Sequence, residues 1–361
     1  MKVLVLANND VGLYKFRKEL IHSILEKGNE VYISLPYGEL VDNLVEMGCT
    51  FIDTPVDRRG INPATDIKLI QEYKRILKSV KPNMVITYTI KPNIYGGMMC
   101  RKLNIPYCVN ITGLGTAFQS DNWLKKLVVT MYKYALKKVK VVFFENAENR
   151  DIFVNNNIIP KNKTYCLNGA GVNLEEYSFR EYPKNNSECR FLFIGRVMKE
   201  KGIYELFKAA ERIKAEYSNV FFDLVGPMED NYKEVLEKYE NKGIIKYYGS
   251  QADVKPFIEK AGCFVLPSYH EGMANTLLEC GAMGRPLITS NIHGCLEAVD
   301  DGKSGYLCNV KDAEDLYKKM KMFIELPYAD KVKMGQASHE FVAGKFDKRK
   351  VVEETVREIM R

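Results

Sequence analysis

The chain has 361 residues, 46% of them hydrophobic and 27% charged, with a net charge of +7. That length suits two soluble domains better than one core, and no apolar run approaches the length of a bilayer-spanning helix. The nine cysteines are scattered, odd in number and without a C-x-x-C pair, which argues for free thiols in a reducing cytosol and against a disulfide framework or zinc site.

Taken in chain order, the opening Met1–Ala7 runs straight into Asn8-Asn9-Asp10, and reads as a buried strand, not a signal peptide. Further strands are expected at Glu30–Leu35, Thr50–Thr54, Met84–Thr89, Tyr107–Ile111 and Val139–Phe144. Helical patterns lie between them at Tyr14–Glu26, Ile67–Ser79 and Trp123–Lys137. After Asn168 the alternation restarts, with strands at Arg190–Ile194, Val220–Val225, Ile245–Tyr248, Cys263–Pro267 and Pro286–Ser290. Helices are expected at Ile203–Glu216, Tyr232–Glu240, Val254–Ala261 and Asn275–Met283. This β-α-β-α order implies parallel sheets covered on both faces. The polar stretch Phe179–Cys189 is the best linker, so the expected domains are 1–178 and 190–345, with a last helix in 346–361 able to pack on either.

Both halves open with a strand that feeds a glycine-bearing turn: Asn8–Leu13 with Gly12, and Gly195-Arg196-Val197. Ligands of open α/β sheets sit beyond the carboxyl ends of strands, where a glycine lets backbone approach a ligand. Neither turn is a G-x-G-x-x-G, so a dinucleotide fingerprint is missing.

The segment Ser268–Glu279 holds two acids, Glu271 and Glu279, with a loop, Gly272 and a helical pattern between them. Eight helical positions make about two and a quarter turns, so both carboxylates can lie along nearly one side. The N–H groups at a helix start are unpaired and suit an anion. Carboxylates suit neutral hydroxyls. A nucleotide sugar offers a sugar, a diphosphate and a ribose in that order. Read one by one, Glu271 is a helix-capping acid, Glu279 a solvent-facing helix residue and Lys201 a surface cation beside a turn; it is their order along the chain that favours a site.

That order resembles a known family. Gly195-Arg196-x4-Lys201-Gly202, Pro267-Ser268-x2-Glu271-Gly272-x6-Glu279, Gly284-x-Pro286, Gly294, Glu297 and Gly305-Tyr306-Leu307 together look like a retaining glycosyltransferase of family four. Asn168-Gly169-x2-Val172-Asn173 is similar to the segment that opens that family's second domain. Thr87-Tyr88-Thr89-Ile90-Lys91-Pro92-Asn93 and Ile111-Thr112-Gly113-Leu114-Gly115 resemble the bacterial branch that builds capsule, O-antigen and glycan chains on a lipid carrier. The resemblance implies the GT-B fold, an α/β architecture of two Rossmann-like doubly wound domains facing a central cleft. It also implies transfer of a hexose or N-acetylhexosamine from a UDP-sugar to a sugar on a polyprenyl diphosphate.

On this resemblance Arg196 and Lys201 would offset charge on the departing diphosphate, which stabilises the transition state differentially. Glu271 would face the transferred sugar and Glu279 the ribose hydroxyls. Gly195, Gly272, Met273, Ala274, Asn275 and Thr276 would line the donor with backbone groups. The family's first-domain histidine has no counterpart, since His22 is the first half's only histidine and sits inside an early helical pattern. That role is vacant or passes to Thr112, Lys91 or a backbone group. No Asp-x-Asp occurs in the chain, which with Arg196 and Lys201 present favours catalysis without a metal, and no cofactor is expected; His270 and His293 lack ligand spacing.

Residues 1–170 hold 24 Lys/Arg against 15 Asp/Glu, and 171–361 hold 29 against 31. The basic surplus of the first half suits an anionic partner. Trp123 to Lys140 carries six lysines, no acid and the only tryptophan; it reads as a helix on the first sheet, a helix in a lipid interface, or both by opposite faces. The expected setting is cytoplasmic, at the inner face of the plasma membrane. Rival readings are a nucleotide-sugar epimerase of the same fold, a catalytically silent nucleotide-sugar or membrane binder, and a nucleic-acid binder, for which no recognition motif is present.

Overall fold

The computed structural model describes residues 1–57, 62–114, 118, 123–184 and 188–361. Gly115 and the middle of the 179–189 stretch lie outside the described residues. The chain divides into two compact units, Met1–Ala170 with Lys348–Arg361, and Gly171–Asp347.

The first unit is built on a parallel sheet of β1 (Lys2–Leu6), β2 (Glu30–Leu35), β3 (Thr50–Asp53), β4 (Met84–Tyr88), β5 (Tyr107–Ile111), β6 (Val142–Phe144) and β7 (Thr164–Cys166), in the order β3-β2-β1-β4-β5-β6-β7. Its helices are α1 (Asp10–Glu26), α2 (Val41–Glu46), α3 (Pro63–Val80), α4 (Gly97–Leu103), α5 (Trp123–Ala135) and α6 (Ala147–Asn155), with a π turn at Pro92–Gly96. The second unit's sheet is β8 (Cys189–Ile194), β9 (Val220–Val225), β10 (Lys246–Tyr247), β11 (Cys263–Leu266), β12 (Leu287–Ser290) and β13 (Gly305–Cys308), in the order β10-β9-β8-β11-β12-β13. Its helices are α7 (Ile203–Glu216), α8 (Lys233–Asn241), α9 (Lys255–Lys260), α10 (Asn275–Ala282), α11 (Ala313–Glu325) and α12 (Tyr328–Phe346); α13 (Lys348–Met360) returns to the first unit.

Both sheets are parallel and covered on both faces, so their central strands are continuous apolar runs and not alternating ones. β1, β4 and β5 are buried almost throughout. Local chemistry sets the helix starts. Asn9 accepts from the Gly12 N–H (2.6 Å), Asn146 from Asn149 (2.8 Å), and Asn62 caps α3 just ahead of Pro63, each filling an orphan donor of a first turn. Each sheet reverses its winding at one place, between β1 and β4 and between β8 and β11. Ligands of such sheets bind at that reversal.

Several expectations are corrected. Gly12 lies in the first turn of α1, not in a turn before it; its N–H is taken by Asn9, whose side-chain oxygen stands 3.0 Å from where a Gly12 Cβ would go. β6 starts at Val142 and not Val139, because Val139 still bonds back to Leu136 in a turn after α5. The 179–189 stretch is not where the units part. Buried Arg285 donates to the carbonyls of Arg180 and Glu181, and Gly284 packs against Phe179, which ties that polar segment to the second unit. The division falls instead at Ala170–Gly171 and Asp347–Lys348. His22 is a solvent-facing residue of α1 beside Glu26 (3.2 Å). Lys348, buried in α13, lies 3.5 Å from Glu19 of α1, and Lys140 Nζ donates to the Ile359 carbonyl. These bonds dock the last helix on the first unit.

Candidate active site at the strand reversal of the second unit

β8 and β11 are the two strands at the reversal, and the motif residues follow their carboxyl ends. Beyond β8, the Gly195 N–H donates to the Val225 carbonyl (2.9 Å) and the Val197 N–H to Pro227 (2.8 Å). Gly226, at φ +136°, has no room for a Cβ, which would land on the Gly195 carbonyl. The exits of β8 and β9 are thereby pressed together, and half-exposed Arg196 stands 3.7 Å from Glu229 on the next loop.

A 3-10 turn, Lys199–Lys201, then leads through Gly202 into α7. Gly202 sits at φ +68° with its α-carbon against the Pro267 carbonyl, where any side chain would strike backbone. The Tyr269 N–H donates to the Glu200 carbonyl (2.8 Å). Two strand exits are thus stitched together, and Lys201 Nζ pairs directly with the Glu271 carboxylate. Ser268 Oγ donates to the same carboxylate oxygen (2.7 Å). The Tyr269 hydroxyl reaches both oxygens of buried Glu205 (2.8 and 2.7 Å), which anchors this loop to the first turn of α7. Beneath the pair lies buried Cys295, whose thiol is pushed up by burial and then by the Glu271 charge, so it stays neutral.

Glu271 therefore lies in the loop before α10 and not on its face, which corrects the helical-face argument. α10 begins at Asn275 with no side chain capping it, and the first N–H groups of a helix left without a cap are suited to an anion. Met273 and Ala274 are buried, and Gly272, Asn275, Thr276 and Glu279 half-buried. The Asn275 Oδ1 is buried without a hydrogen-bond partner. Glu279 is about one turn further on, near the Tyr177 phenol, which burial and then the Glu279 charge push upward. The structure brings Lys201 and Glu271 together, leaves Arg196 with Glu229, and sets Glu279 along the helix.

Glu297 completes the site, although residue types alone did not single it out. Its carboxylate accepts from the Gly294 N–H (2.7 Å) and meets His293 Nδ1 (2.7 Å). Gly294, at φ +90°, packs against the Glu271 and Gly272 carbonyls, where a Cβ would come within 2.8 Å, and its own carbonyl accepts from the Ala274 N–H (2.8 Å). The spacing Gly294-x2-Glu297 was the available signal. On the first unit, Lys91 Nζ bonds Asp66 (2.7 Å) and Thr112 is half-buried.

Two doubly wound parallel-sheet units in one chain are the architecture of the GT-B class. Comparisons agree. Residues 175–341 match the family Glycosyl transferases group 1 and residues 2–146 match Glycosyl transferase 4-like; the chain is a glycosyltransferase built of these two domains, consistent with family four. It is 25% identical over 342 residues, 90% of each chain, to the N,N'-diacetylbacillosaminyl-diphospho-undecaprenol alpha-1,3-N-acetylgalactosaminyltransferase of Campylobacter jejuni. It is 26% identical to the UDP-Gal:alpha-D-GlcNAc-diphosphoundecaprenol alpha-1,3-galactosyltransferase of Escherichia coli, across 77% of this chain and 75% of that one. In fold it is similar to a glycosyltransferase from Rickettsia africae (TM-score 0.81, 19% identity, covering 100% of this chain and 98% of that one). It is also similar to Anabaena Alr3699/HepE in complex with UDP and glucose (TM-score 0.82, 13% identity, 100% and 99%).

Proposed function

We propose that this glycosyltransferase moves a hexose or N-acetylhexosamine from a UDP-sugar to a polyprenyl-diphosphate-linked saccharide in bacterial surface polysaccharide or glycan assembly, retaining the anomeric configuration and using no metal. The observation that carries the reading is the Lys201–Glu271–Ser268 cluster at the β8/β11 reversal, next to the uncapped start of α10. The donor diphosphate draws Lys201 off Glu271 and takes Arg196 as a second cation; a planar fork and a point charge then meet the charge that builds on the leaving group. Glu271, released, accepts from hydroxyls of the transferred sugar, with Gly272 to Thr276 supplying backbone N–H groups. Glu279 accepts from the ribose. The names of the Campylobacter jejuni and Escherichia coli relatives support a lipid-diphosphate acceptor, and the UDP bound by the Anabaena protein supports uridine.

The enzyme acts at the cytosolic membrane surface through α5. Val128, Tyr132 and Ala135 bury one face of that helix in the first core. Trp123, Leu127 and Tyr134 form an exposed apolar stripe on the other, and Trp123 is 68% exposed. Lys126, Lys133, Lys137 and Lys138 are exposed beside it, the pattern of an interfacial helix on anionic lipid. No described helix is long and apolar enough to cross a membrane.

The test is incubation of a UDP-sugar panel with a polyprenyl-diphosphate saccharide, with the product's anomeric configuration read by NMR. An α-linked product from an α-donor, formed equally in the presence of a chelator, is expected. An inverted product, or donor isomerised with no acceptor present, would overturn the reading.

A further inference from the structure

The first unit has its own strand reversal, and its contents are not absorbed by the donor site. Leaving β4, Thr89 takes φ +71°, a left-handed backbone that is an outlier for a β-branched residue and persists only where its surroundings hold it. Here they do. The Asn93 N–H donates to the Thr89 carbonyl (2.9 Å). The Asn93 side chain is itself locked, accepting from Thr87 Oγ1 (2.7 Å) and donating to the Asn110 carbonyl (2.8 Å), so it ties the end of β4 to β5. The π turn Pro92–Gly96 that follows is wholly buried, and such turns gather at functional positions.

This rigid exit delivers one polar cluster. Lys91 Nζ donates to Asp66 Oδ1 (2.7 Å) and the Tyr95 hydroxyl to Asp66 Oδ2 (2.7 Å). The Lys91 and Asp66 side chains are 14% and 17% exposed, so the pair is held without being sealed. Asp66 also lines a groove of about 590 Å³ with Pro36, Pro55 and Leu69, in which Asp57 and Glu72 lie as well.

We infer that the Lys91–Asp66 pair reads hydroxyl groups of the acceptor's saccharide. Charge decides between the saccharide and the diphosphate of the same acceptor. The pair is neutral as a whole and its one cation is already bound to Asp66, so among the described residues of the Lys91–Asp66–Tyr95 cluster a diphosphate finds no surplus cation. A sugar finds an acceptor in Asp66 and further N–H donors on the ammonium, only one of which Asp66 uses. Tyr95 is a positioning residue that fixes the second carboxylate oxygen. The inference rests on the proposed lipid-linked saccharide acceptor.

The test compares two acceptors that share a saccharide, one on a polyprenyl diphosphate and one on a neutral alkyl chain. Lys91→Gln and Asp66→Asn should each lower kcat/KM by about tenfold, the worth of a charge-assisted hydrogen bond, by the same factor for both acceptors and through KM for the acceptor. Tyr95→Phe, the mildest variant, should lower it by about threefold. Unchanged folding is checked by the UDP-induced thermal shift. A loss confined to the diphosphate acceptor, or no loss in folded variants, would overturn the inference. A wild-type enzyme that uses neither acceptor would instead overturn the proposed function on which it rests.

Discussion

Each unit places a lysine–carboxylate pair past a strand at its reversal, yet the two pairs are built differently. In the second unit Lys201 and Glu271 come from two exits stitched by backbone bonds and by glycines that admit no side chain. In the first, Lys91 is delivered by a strained residue and a buried π turn onto Asp66 of α3. The first unit also holds a third pair, the more deeply buried of its two. Arg17 of α1 bonds Glu145, just past β6 (2.6 Å), with the guanidinium over the Tyr88 ring (5.1 Å). The contrast separates roles. The proposed ligand-facing pairs stand at the reversals and each keeps a more exposed member; the more deeply buried Arg17–Glu145 pair is expected to be architecture, its worth appearing only when one partner is lost.

The largest effect should come from the more deeply buried Arg17–Glu145 pair. Burial holds the Glu145 carboxyl above its ordinary 4.5, while the Arg17 charge and hydrogen bond pull it down. Arg17→Met removes the counterweight and should cost about 3–5 kcal/mol in urea unfolding. Between the ordinary value and the raised folded one, the folded state keeps a proton that the unfolded state has lost. Stability from this group therefore falls as pH rises through that window. The variant should show this slope more steeply than the parent above pH 4.5, and adding Glu145→Gln should flatten it. An unchanged slope would place the pair's importance elsewhere.

Next, Lys201→Ala should lower kcat/KM by about 10²–10³, as for loss of one transition-state donor, with a much smaller change in unfolding free energy than Arg17→Met. If stability falls and turnover does not, the open pair is structural too. Smaller still, Glu279→Ala should weaken UDP binding by about tenfold, read by titration calorimetry. Smallest per residue, Lys126, Lys133, Lys137 and Lys138 changed together to Gln should reduce binding to anionic liposomes, each lysine contributing about 1 kcal/mol at most. Salt-insensitive binding would remove the membrane surface from the account.

Legibility in the sequence differed between the units in the same way. The strands Glu30–Leu35, Tyr107–Ile111 and Val220–Val225 and the helix Ile203–Glu216 stand where their apolar periods place them, because a buried parallel strand and an amphipathic helix have strong local signatures. β13 was visible only as the motif Gly305-Tyr306-Leu307, since its first residue is a glycine required by the Leu287 carbonyl against it. The residues proposed for the donor side were readable because they cluster in two short segments after strands. Glu205, which grips Tyr269 from 64 residues away, has no local signal. Nor has Asp66, 25 residues before Lys91. The lysines of 123–140 read alike in the sequence, yet Lys140 turns to the Ile359 carbonyl and Lys138 to Asn104, partners that only the fold supplies.

The central claim is that the β8/β11 reversal of the second unit binds the nucleotide sugar through Lys201. Titration calorimetry of a UDP-sugar against the parent enzyme and Lys201→Ala tests it most directly. The account predicts saturable one-to-one binding that weakens at least about tenfold in the variant while the variant keeps its thermal unfolding midpoint without ligand. Equal affinity in the two proteins would contradict it.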